Sequence, residues 1–305
     1  MSVTLLIDGD PLVYSCGYVA ERRRHILSWV DVTTDGDVYH EAEFEHAWRR
    51  DAFIDLMNLH PDEWACQTYA IPYDFGFAVQ ALRTTLAGIE DNVRPYLIHL
   101  GLEPGPTQIY LTGGDNFRHN VATIRPYKGN RGNARPFWYA KLREYMVERH
   151  GAIVVDEYEA DDAIAMVQWQ TAYTVEPTSI ICTIDKDLKM VPGLHYHTKD
   201  KEAWYQSPQG ALECFYRQLL TGDATDNIPG LYRVGKSRAA VLLPSGLSER
   251  DMYERVLAEY ATNMAKYPEH HLPHTDPAEC LAENARLLWM LRHPDDKWYP
   301  PGRPR

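Results

Sequence analysis

The segment AIVVDEYEADDAIAMV at residues 152–167 contains the pattern that decides the fold. A short apolar run predicts a buried strand, acidic residues follow it, and the next apolar residues have helical spacing. Strand-length runs also occur at 3–7, 108–111, 179–184 and 194–198, and helix-length stretches at 75–89 and 137–150. This alternation predicts an α/β fold with a central, mostly parallel sheet flanked by helices.

The second half of the chain changes character after about residue 206. Strand patterns become rare there, and short helical stretches are broken by Gly and Pro. We therefore predict an α/β body over 1–205 and a smaller helical part over 206–305. Residues 21–70 show no pattern that predicts an element.

The composition of the 305 residues is ordinary for a globular protein, with 45% hydrophobic and 24% charged residues. It excludes a collagen-like chain, a disordered tail and a disulfide-stapled mini-protein. No apolar run reaches membrane-spanning length, and the N-terminus lacks a basic region before its apolar stretch, so we expect a soluble, cytoplasmic protein. The five scattered cysteines without a CxxC pair indicate reduced thiols.

The net charge of −12 by itself argues against a nucleic-acid-binding protein. However, residues 116–149 contain eight Lys or Arg and only two acids, Glu144 and Glu148. A basic segment beside acidic motifs indicates phosphate binding next to a metal site.

Acidic residues recur where predicted strands end. Ligands bind at the carboxyl ends of strands in open α/β sheets, so these side chains should meet at one edge. Oxygen-only ligands favour Mg²⁺ or Mn²⁺, and two such ions could clamp a phosphodiester. Each acid alone could equally be a helix cap or turn residue, and only the repeated pattern favours metal binding. The acids are Asp8, Asp10, Asp115, Glu159, Asp161, Asp162, Asp185, Asp187, Asp223 and Asp226.

Six motifs, in this order, resemble the 5′-nuclease or flap-endonuclease superfamily, especially phage 5′→3′ exonucleases and the 5′-nuclease domain of bacterial DNA polymerase I. They are Ile-Asp-Gly-Asp (7–10), Asp115 with Phe-Arg (117–118), Tyr-Lys-Gly-Asn-Arg (127–131), Glu-Ala-Asp-Asp (159–162), Asp-Lys-Asp-Leu (185–188) and Gly-Asp-Ala-Thr-Asp-Asn-Ile-Pro-Gly (222–230).

The resemblance implies a helical arch around 116–149 and a helix-hairpin-helix-like segment at 228–243, where Arg233 replaces the first expected glycine. It assigns Asp8, Asp115, Glu159 and Asp161 to a first metal, with Asp162 close by or bridging. It assigns Asp185, Asp187 and Asp226 to a second metal, with Asp223 nearby. Lys128 and Arg131, with Asp161 and Asp185, would carry the catalysis. Nucleic acid would contact Arg118, Arg125, Tyr127, Lys128, Arg131, Gly235 and Lys236, with Tyr127 stacking on the end base.

The resemblance also implies the reaction and its partners. We expect a 5′→3′ exonuclease or flap endonuclease that uses two Mg²⁺ ions, or Mn²⁺, with K⁺ at the helix-hairpin-helix. Its substrates would be duplex DNA with 5′ ends, nicks or flaps, or RNA in RNA–DNA hybrids, in replication, recombination or primer removal. We expect a monomer with no membrane partner, in the host cytoplasm if the gene belongs to a phage.

Four other interpretations remain open from the sequence. Residues 230–237 fit the P-loop pattern GxxxxGK[ST], although no strand pattern precedes them. His195 and His197 could share a zinc ion. A PIN-like metal-dependent ribonuclease would share the acidic edge but would lack the motifs at 127–131 and 222–230. A catalytically inactive nucleic-acid-binding relative would have lost some of the carboxylates.

Overall fold

The computed structural model describes residues 2–34, 36–114, 116–132, 134–170 and 177–302. Its strands are β1 (Ser2–Asp8), β2 (Glu21–Thr33), β3 (Gly36–Phe44), β4 (Trp64–Pro72), β5 (Glu103–Thr112), β6 (Ile153–Val155), β7 (Ser179–Thr183), β8 (Gly193–His197), β9 (Glu202–Gln206), β10 (Gly222–Asp223) and β11 (Ile228–Pro229). Its α-helices are α1 (Asp10–Val19), α2 (Ala47–Met57), α3 (Phe75–His99), α4 (Arg118–Val121), α5 (Tyr139–His150), α6 (Ala160–Trp169), α7 (Pro208–Thr221), α8 (Lys236–Leu242), α9 (Glu249–Lys266) and α10 (Pro277–Leu288). Short 3₁₀ helices occur at Asp187–Met190 and Pro268–His270.

Six strands form the main sheet in the order β6-β5-β1-β7-β8-β9. All neighbouring pairs are parallel except β8 and β9, which confirms the predicted mostly parallel α/β fold. Gly9 follows β1 directly, and a Cβ there would lie 2.7 Å from the Tyr110 carbonyl oxygen. Only glycine therefore allows the chain to leave β1 so close to β5.

The chain divides into two compact units. One comprises the described residues of Met1–Pro11, Ala87–Asn133 and Val147–Arg305, and the other those of Leu12–Leu86 and Ala134–Met146. This division differs from the predicted boundary near residue 206. The reason is a shared core: Leu6 and Ile181 of the sheet belong to the same buried apolar cluster as Phe215 and Trp298 of the C-terminal part.

The second unit contains a three-stranded antiparallel sheet, in the order β3-β2-β4, that the sequence did not predict. Leu27 and Trp29 of β2 are buried. The ring centroid of Phe53 in α2 lies 5.3 Å from that of Trp29 in β2 and 5.3 Å from that of Phe44 in β3. Aromatic packing therefore holds the helix against one face of this sheet.

The described residues of the predicted helical arch around 116–149 contain two helices, α4 and α5. Between α4 and α5, the described residues form turns and irregular chain. Pro126 and Pro136 explain this, because proline lacks the N–H that a continuing helix needs. The predicted helix at 137–150 is present as α5.

The segment at 228–243 contains β11 and α8, and β11 pairs with β10, which directly follows α7. Arg233 adopts a positive φ of 63°, the backbone conformation that a glycine would provide. Gly235 is the residue before α8, and its φ of −96° lies outside that region. Among the helices in the described part of the chain, none combines the length and the apolar character needed to cross a membrane.

Candidate metal centre and nucleic-acid interface

The carboxyl ends of β1 and β7 bring together acids from two motifs. Asp8 is the last residue of β1, and Thr183, the last of β7, donates its hydroxyl to Asp8 Oδ2 at 2.9 Å. The same Thr183 oxygen accepts the backbone N–H of Asp185 at 2.9 Å, and Asp185 Oδ1 accepts that of Asp187 at 2.8 Å. A continuous hydrogen-bonded path therefore links Asp8 to Asp187.

Helix α6 begins with the acids of the third motif. Glu159 is the residue before the helix, and Asp162 closes the first turn by accepting the Glu159 backbone N–H on Oδ2 at 3.2 Å. Acidic side chains are favoured at this end of a helix by its dipole. The local sequence thus explains why these acids stand where β6 leads into α6.

Asp8 and Asp161 are held in an environment that disfavours their charged forms. Burial is the largest cause that raises the pKa of Asp8, to about 8, and repulsion from Asp10 and Asp185 adds to it. Burial also raises the pKa of Asp161, followed by repulsion from Asp8, Asp185 and Glu159. These mutual effects show that acids from three separate stretches lie at one place.

Asp185 and Asp187 extend the same cluster towards β10. Burial raises the pKa of Asp187 to about 8, and the charges of Asp185 and Asp223 add to this. Burial raises the pKa of Asp185 as well, with Asp226 and Asp223 as repelling neighbours. The motif at 222–227 therefore joins the acids that follow β7.

Two other acids are compensated by donors. Although burial opposes it, Lys128 and Arg118 hold the pKa of Glu159 below its ordinary value. Burial also acts to raise the pKa of Asp223, but Lys186, 2.8 Å away, and the N–H of Thr225 outweigh this effect and lower the pKa. The cluster thus contains both uncompensated and paired carboxylates.

The basic motif at 127–131 lies against these acids. Lys128 Nζ contacts Glu159 and lies 3.9 Å from Asp226 Oδ2, and the Arg131 guanidinium contacts Asp226. The Lys128 backbone N–H also donates to the Asp226 carbonyl at 2.9 Å. Two cations are therefore held where phosphate oxygens could meet them.

Tyr127 is not available to stack on an end base. Its side chain is buried, and its hydroxyl lies 2.9 Å from Glu159 Oε2 and 2.8 Å from Asp226 Oδ2. This corrects the stacking expectation. Burial, followed by the Glu159 charge, raises the pKa of Tyr127 above its ordinary value, so the hydroxyl stays a donor.

Arg118 and Asp162 have structural roles instead of the expected ones. The Arg118 side chain is 1% exposed and pairs in a bidentate manner with Asp162, at 2.5 and 2.9 Å. It also donates to the carbonyls of Leu287 and Trp289. Because both charged groups are buried and occupied by each other, Arg118 does not reach nucleic acid, and Asp162 is not available to a metal.

The remaining predicted contacts are exposed or lie outside the described part. Arg125, Gly235 and Lys236 are exposed, so their predicted nucleic-acid contacts stay predictions. Asp115, predicted as a ligand of the first metal, lies outside the described residues. Sequence reasoning missed Thr183 and Gln218, which bond to the acids, because no local pattern distinguishes them.

The cluster fits divalent cations by its chemistry. Within the described residues, no three Asp, Glu, His or Cys side chains stand close enough to enclose one ion. The donors are nonetheless oxygen atoms only, which suits Mg²⁺ or Mn²⁺. Burial, followed by repulsion from neighbouring acids, raises the pKa values of Asp8 and Asp187, and a bound cation would favour their ionised forms. Cation binding would have to draw these carboxylates together.

The structure disfavours two of the alternatives. Residues 228–229 before the P-loop-like pattern pair only with 222–223 and do not belong to the parallel sheet that a P-loop requires. His195 is buried and bonds to the Val191 carbonyl at 2.7 Å, whereas His197 pairs with Asp200 at 2.8 Å. The two imidazoles therefore have separate protein partners.

Comparisons with known proteins agree with the motifs. No protein-family model matches the chain. A DNA polymerase I of Rhizobium leguminosarum is 34% identical over 103 residues, which cover 30% of this chain and 10% of that protein. A 5′-3′ exonuclease of Buchnera aphidicola subsp. Baizongia pistaciae is 28% identical over 185 residues, 55% of this chain and 54% of that protein. The chain thus spans about half of one relative and a tenth of the other.

Among solved structures, a bacteriophage T5 protein co-crystallised with metal ions has a TM-score of 0.46 and 13% identity, covering 92% of this chain and 89% of that chain. A bacteriophage T5 flap endonuclease complex with DNA and metal ions has a TM-score of 0.38 and 11% identity, covering 67% and 90%. These scores are too low to support an assignment. Both sequence relatives, a DNA polymerase I and a 5′-3′ exonuclease, agree with the resemblance of the six motifs to the 5′-nuclease superfamily.

Proposed function

We propose that this protein is a Mg²⁺-dependent 5′→3′ exonuclease with flap-endonuclease activity. It hydrolyses DNA phosphodiesters near 5′ ends and leaves 5′-phosphate and 3′-hydroxyl products. The observation that carries this proposal is the grouping of three acids from separate stretches beside the cation of Lys128: the Thr183 hydroxyl joins Asp8 to the backbone of Asp185, and both of these acids raise the pKa of Asp161.

Seven acids are the proposed metal-holding residues. Asp8 and Asp161, with Glu159 and Asp115, would hold one ion, and Asp185, Asp187 and Asp226 the other. Bound divalent ions would supply positive charge to the scissile phosphate and lower the pKa of an attacking water. Asp223 has three donors of its own and supports the cluster from outside.

Lys128 and Arg131 would bind the phosphate that is cut. Both cations now contact carboxylates, so each can exchange a carboxylate for a phosphate oxygen without crossing an apolar region. Charge placed where the transition state becomes more negative accelerates cleavage more than it strengthens binding. The buried Tyr127 hydroxyl would keep Glu159 and Asp226 in place during this exchange.

The names of the two sequence relatives support this class of reaction. One is a 5′-3′ exonuclease and the other a DNA polymerase I. We extend the substrate to duplex DNA with 5′ ends, nicks or flaps, and to RNA in RNA–DNA hybrids. The exposed Arg125 and Lys236 would add contacts to the phosphate backbone.

The test uses blunt, nicked and flapped duplexes labelled at either the 5′ or the 3′ end. Wild-type protein should release short 5′ products with Mg²⁺ and none with EDTA, and ligation should show the 5′-phosphate. Asp185→Asn should reduce cleavage by at least about 100-fold. The control, Asp200→Asn in the exposed β8–β9 turn, should leave cleavage unchanged. Absence of cleavage by the wild type with Mg²⁺ and Mn²⁺, or full activity of Asp185→Asn, would overturn the proposal.

A further inference from the structure

The amide of Gln218 in α7 bridges two acids of the cluster. Its Nε2 donates to Asp187 Oδ1 at 2.8 Å and to Asp223 Oδ2 at 3.0 Å. A side-chain amide nitrogen has two N–H bonds, so both are used. Both partners are acceptors, which requires the nitrogen and not the carbonyl oxygen of Gln218 to face them.

This bridge fixes the spacing of the two carboxylates. The two N–H bonds of the amide point in different directions, so each carboxyl group is held by one of them, and the two carboxyl groups are close enough to hydrogen-bond to each other as well. Without a donor between them, two neighbouring carboxylates repel and turn away from each other. Gln218 therefore restrains the rotation of the Asp187 carboxyl group relative to that of Asp223.

The two acids differ in their other partners. Asp223 also accepts the N–H of Thr225 at 2.8 Å and contacts Lys186 Nζ at 2.8 Å, so it is held by three donors. The side chain of Asp187 is bonded by Gln218, and its backbone N–H donates to Asp185. Gln218 thus ties Asp187 to Asp223, which Thr225 and Lys186 also hold.

We propose that Gln218 is a positioning residue that orients Asp187 for the second metal ion. The proposal rests on the proposed function, because it assumes that Asp185 and Asp187 bind a divalent cation. Gln218 does not touch the substrate. It acts by holding Oδ1 of Asp187, so that the other oxygen of this carboxylate is fixed in direction. Partners of this kind change metal affinity or activity by about 10–100-fold.

The test compares two glutamines of the same helix. Gln218→Met keeps the length of the side chain and removes both N–H donors. The control is Gln209→Met, since Gln209 also donates to a carboxylate, that of Glu213 at 3.4 Å, and to the Leu247 carbonyl at 2.8 Å. Mn²⁺ binding is measured by calorimetry on the intact proteins, and the Mg²⁺ concentration for half-maximal cleavage is measured in parallel.

Gln218→Met should weaken one class of Mn²⁺ sites and raise the half-maximal Mg²⁺ concentration, each by at least about 10-fold. Cleavage at saturating Mg²⁺ should recover most of the loss, which a general loss of structure would not allow. Gln209→Met should match the wild type. If Gln218→Met does not fold, Gln218→Asn replaces it in the test. The asparagine side chain is too short to bridge both acids, so we expect the same loss of Mn²⁺ affinity and the same rise in half-maximal Mg²⁺ concentration.

The outcomes separate the two proposals. Mn²⁺ affinity and Mg²⁺ dependence within about twofold of the wild type in a folded Gln218 variant would overturn the positioning role, while the proposed function stands. If the wild type neither binds Mn²⁺ nor cleaves DNA, both proposals are overturned.

Discussion

The buried pair of Arg118 and Asp162 allows a quantitative prediction. Arg118→Met would leave the fully buried Asp162 carboxylate without its counter-charge and two carbonyls, those of Leu287 and Trp289, without a donor. Removing one partner of a buried ion pair costs about 3–5 kcal/mol in the free energy of unfolding. We therefore expect a strongly destabilised but folded protein.

The expected change in melting temperature follows from the length of the chain. Unfolding entropy near 60 °C is about 2.1 cal/mol/K per residue, which gives about 0.64 kcal/mol/K for 305 residues. A loss of about 4 kcal/mol then lowers the Tm by about 6 °C. Thermal unfolding followed by circular dichroism measures this shift.

Arg217→Met is the matched control. Arg217 also donates to a backbone carbonyl, that of Leu243, and pairs with Glu213 at 3.3 Å, but its side chain is 33% exposed. Pairs open to water contribute about 0–1 kcal/mol, so its Tm should fall by less than about 2 °C.

A double-mutant cycle tests the physical reason. Arg118→Met with Asp162→Leu removes both charges, so the double variant should cost no more than either single variant. The coupling energy should then be at least about 3 kcal/mol, the lower end of the cost of a single variant. Equal Tm losses for Arg118→Met and Arg217→Met, or additive losses in the cycle, would refute the reasoning.

Three further predictions concern the site and the core. Lys128→Met should slow single-turnover cleavage by about 100-fold with little change in DNA affinity. Lys236→Met should instead weaken DNA binding and lower the salt dependence of binding, without slowing cleavage at saturating DNA. A change in Kd alone for Lys128→Met would make Lys128 a docking contact. Millimolar Mg²⁺ should raise the Tm by about 4 °C for each bound ion at a hundredfold excess over its Kd, and Asp185→Asn should abolish much of that rise, so equal shifts in both proteins would contradict the assigned site. Burial lowers the pKa of His195 to about 4, so between pH 6.5 and pH 4 the unfolded state binds a proton that the folded state does not. This difference lowers the free energy of unfolding by about 2 kcal/mol at pH 5 relative to pH 7. His195→Gln should therefore lose less stability than the wild type between pH 7 and pH 5 in urea unfolding, and parallel losses would exclude this role.

Local patterns were sufficient to predict the main sheet. The apolar runs at 3–7 and 179–184 correspond to β1 and β7, because a buried parallel strand is apolar along its whole length. The acids that follow these runs were predicted to meet at one edge, and Asp8, Asp161 and Asp185 do lie together. Their roles as metal ligands stay predictions.

The sheet of β2, β3 and β4 was not predicted from the sequence, although buried and exposed positions alternate along part of β2. Positions 25, 27 and 29 alternate with more exposed residues and are buried. The charged start of β2, Glu21–Arg24, and its non-local pairing obscured this alternation. Strand pairing depends on partners elsewhere in the chain, which periodicity alone does not identify.

The sequence by itself determined the α/β class, the parallel strands and the grouping of acids at their carboxyl ends. These features follow from residue spacing and from the rule that ligands gather at that edge. Only the tertiary structure decided between adjacent, chemically identical residues. It directs Asp162 towards a buried arginine and leaves Asp161 among the other acids, and it joins Arg118 to a carbonyl 169 residues away. The physical reason is that the partner of a charged side chain depends on packing and desolvation between distant segments, and local spacing does not encode this.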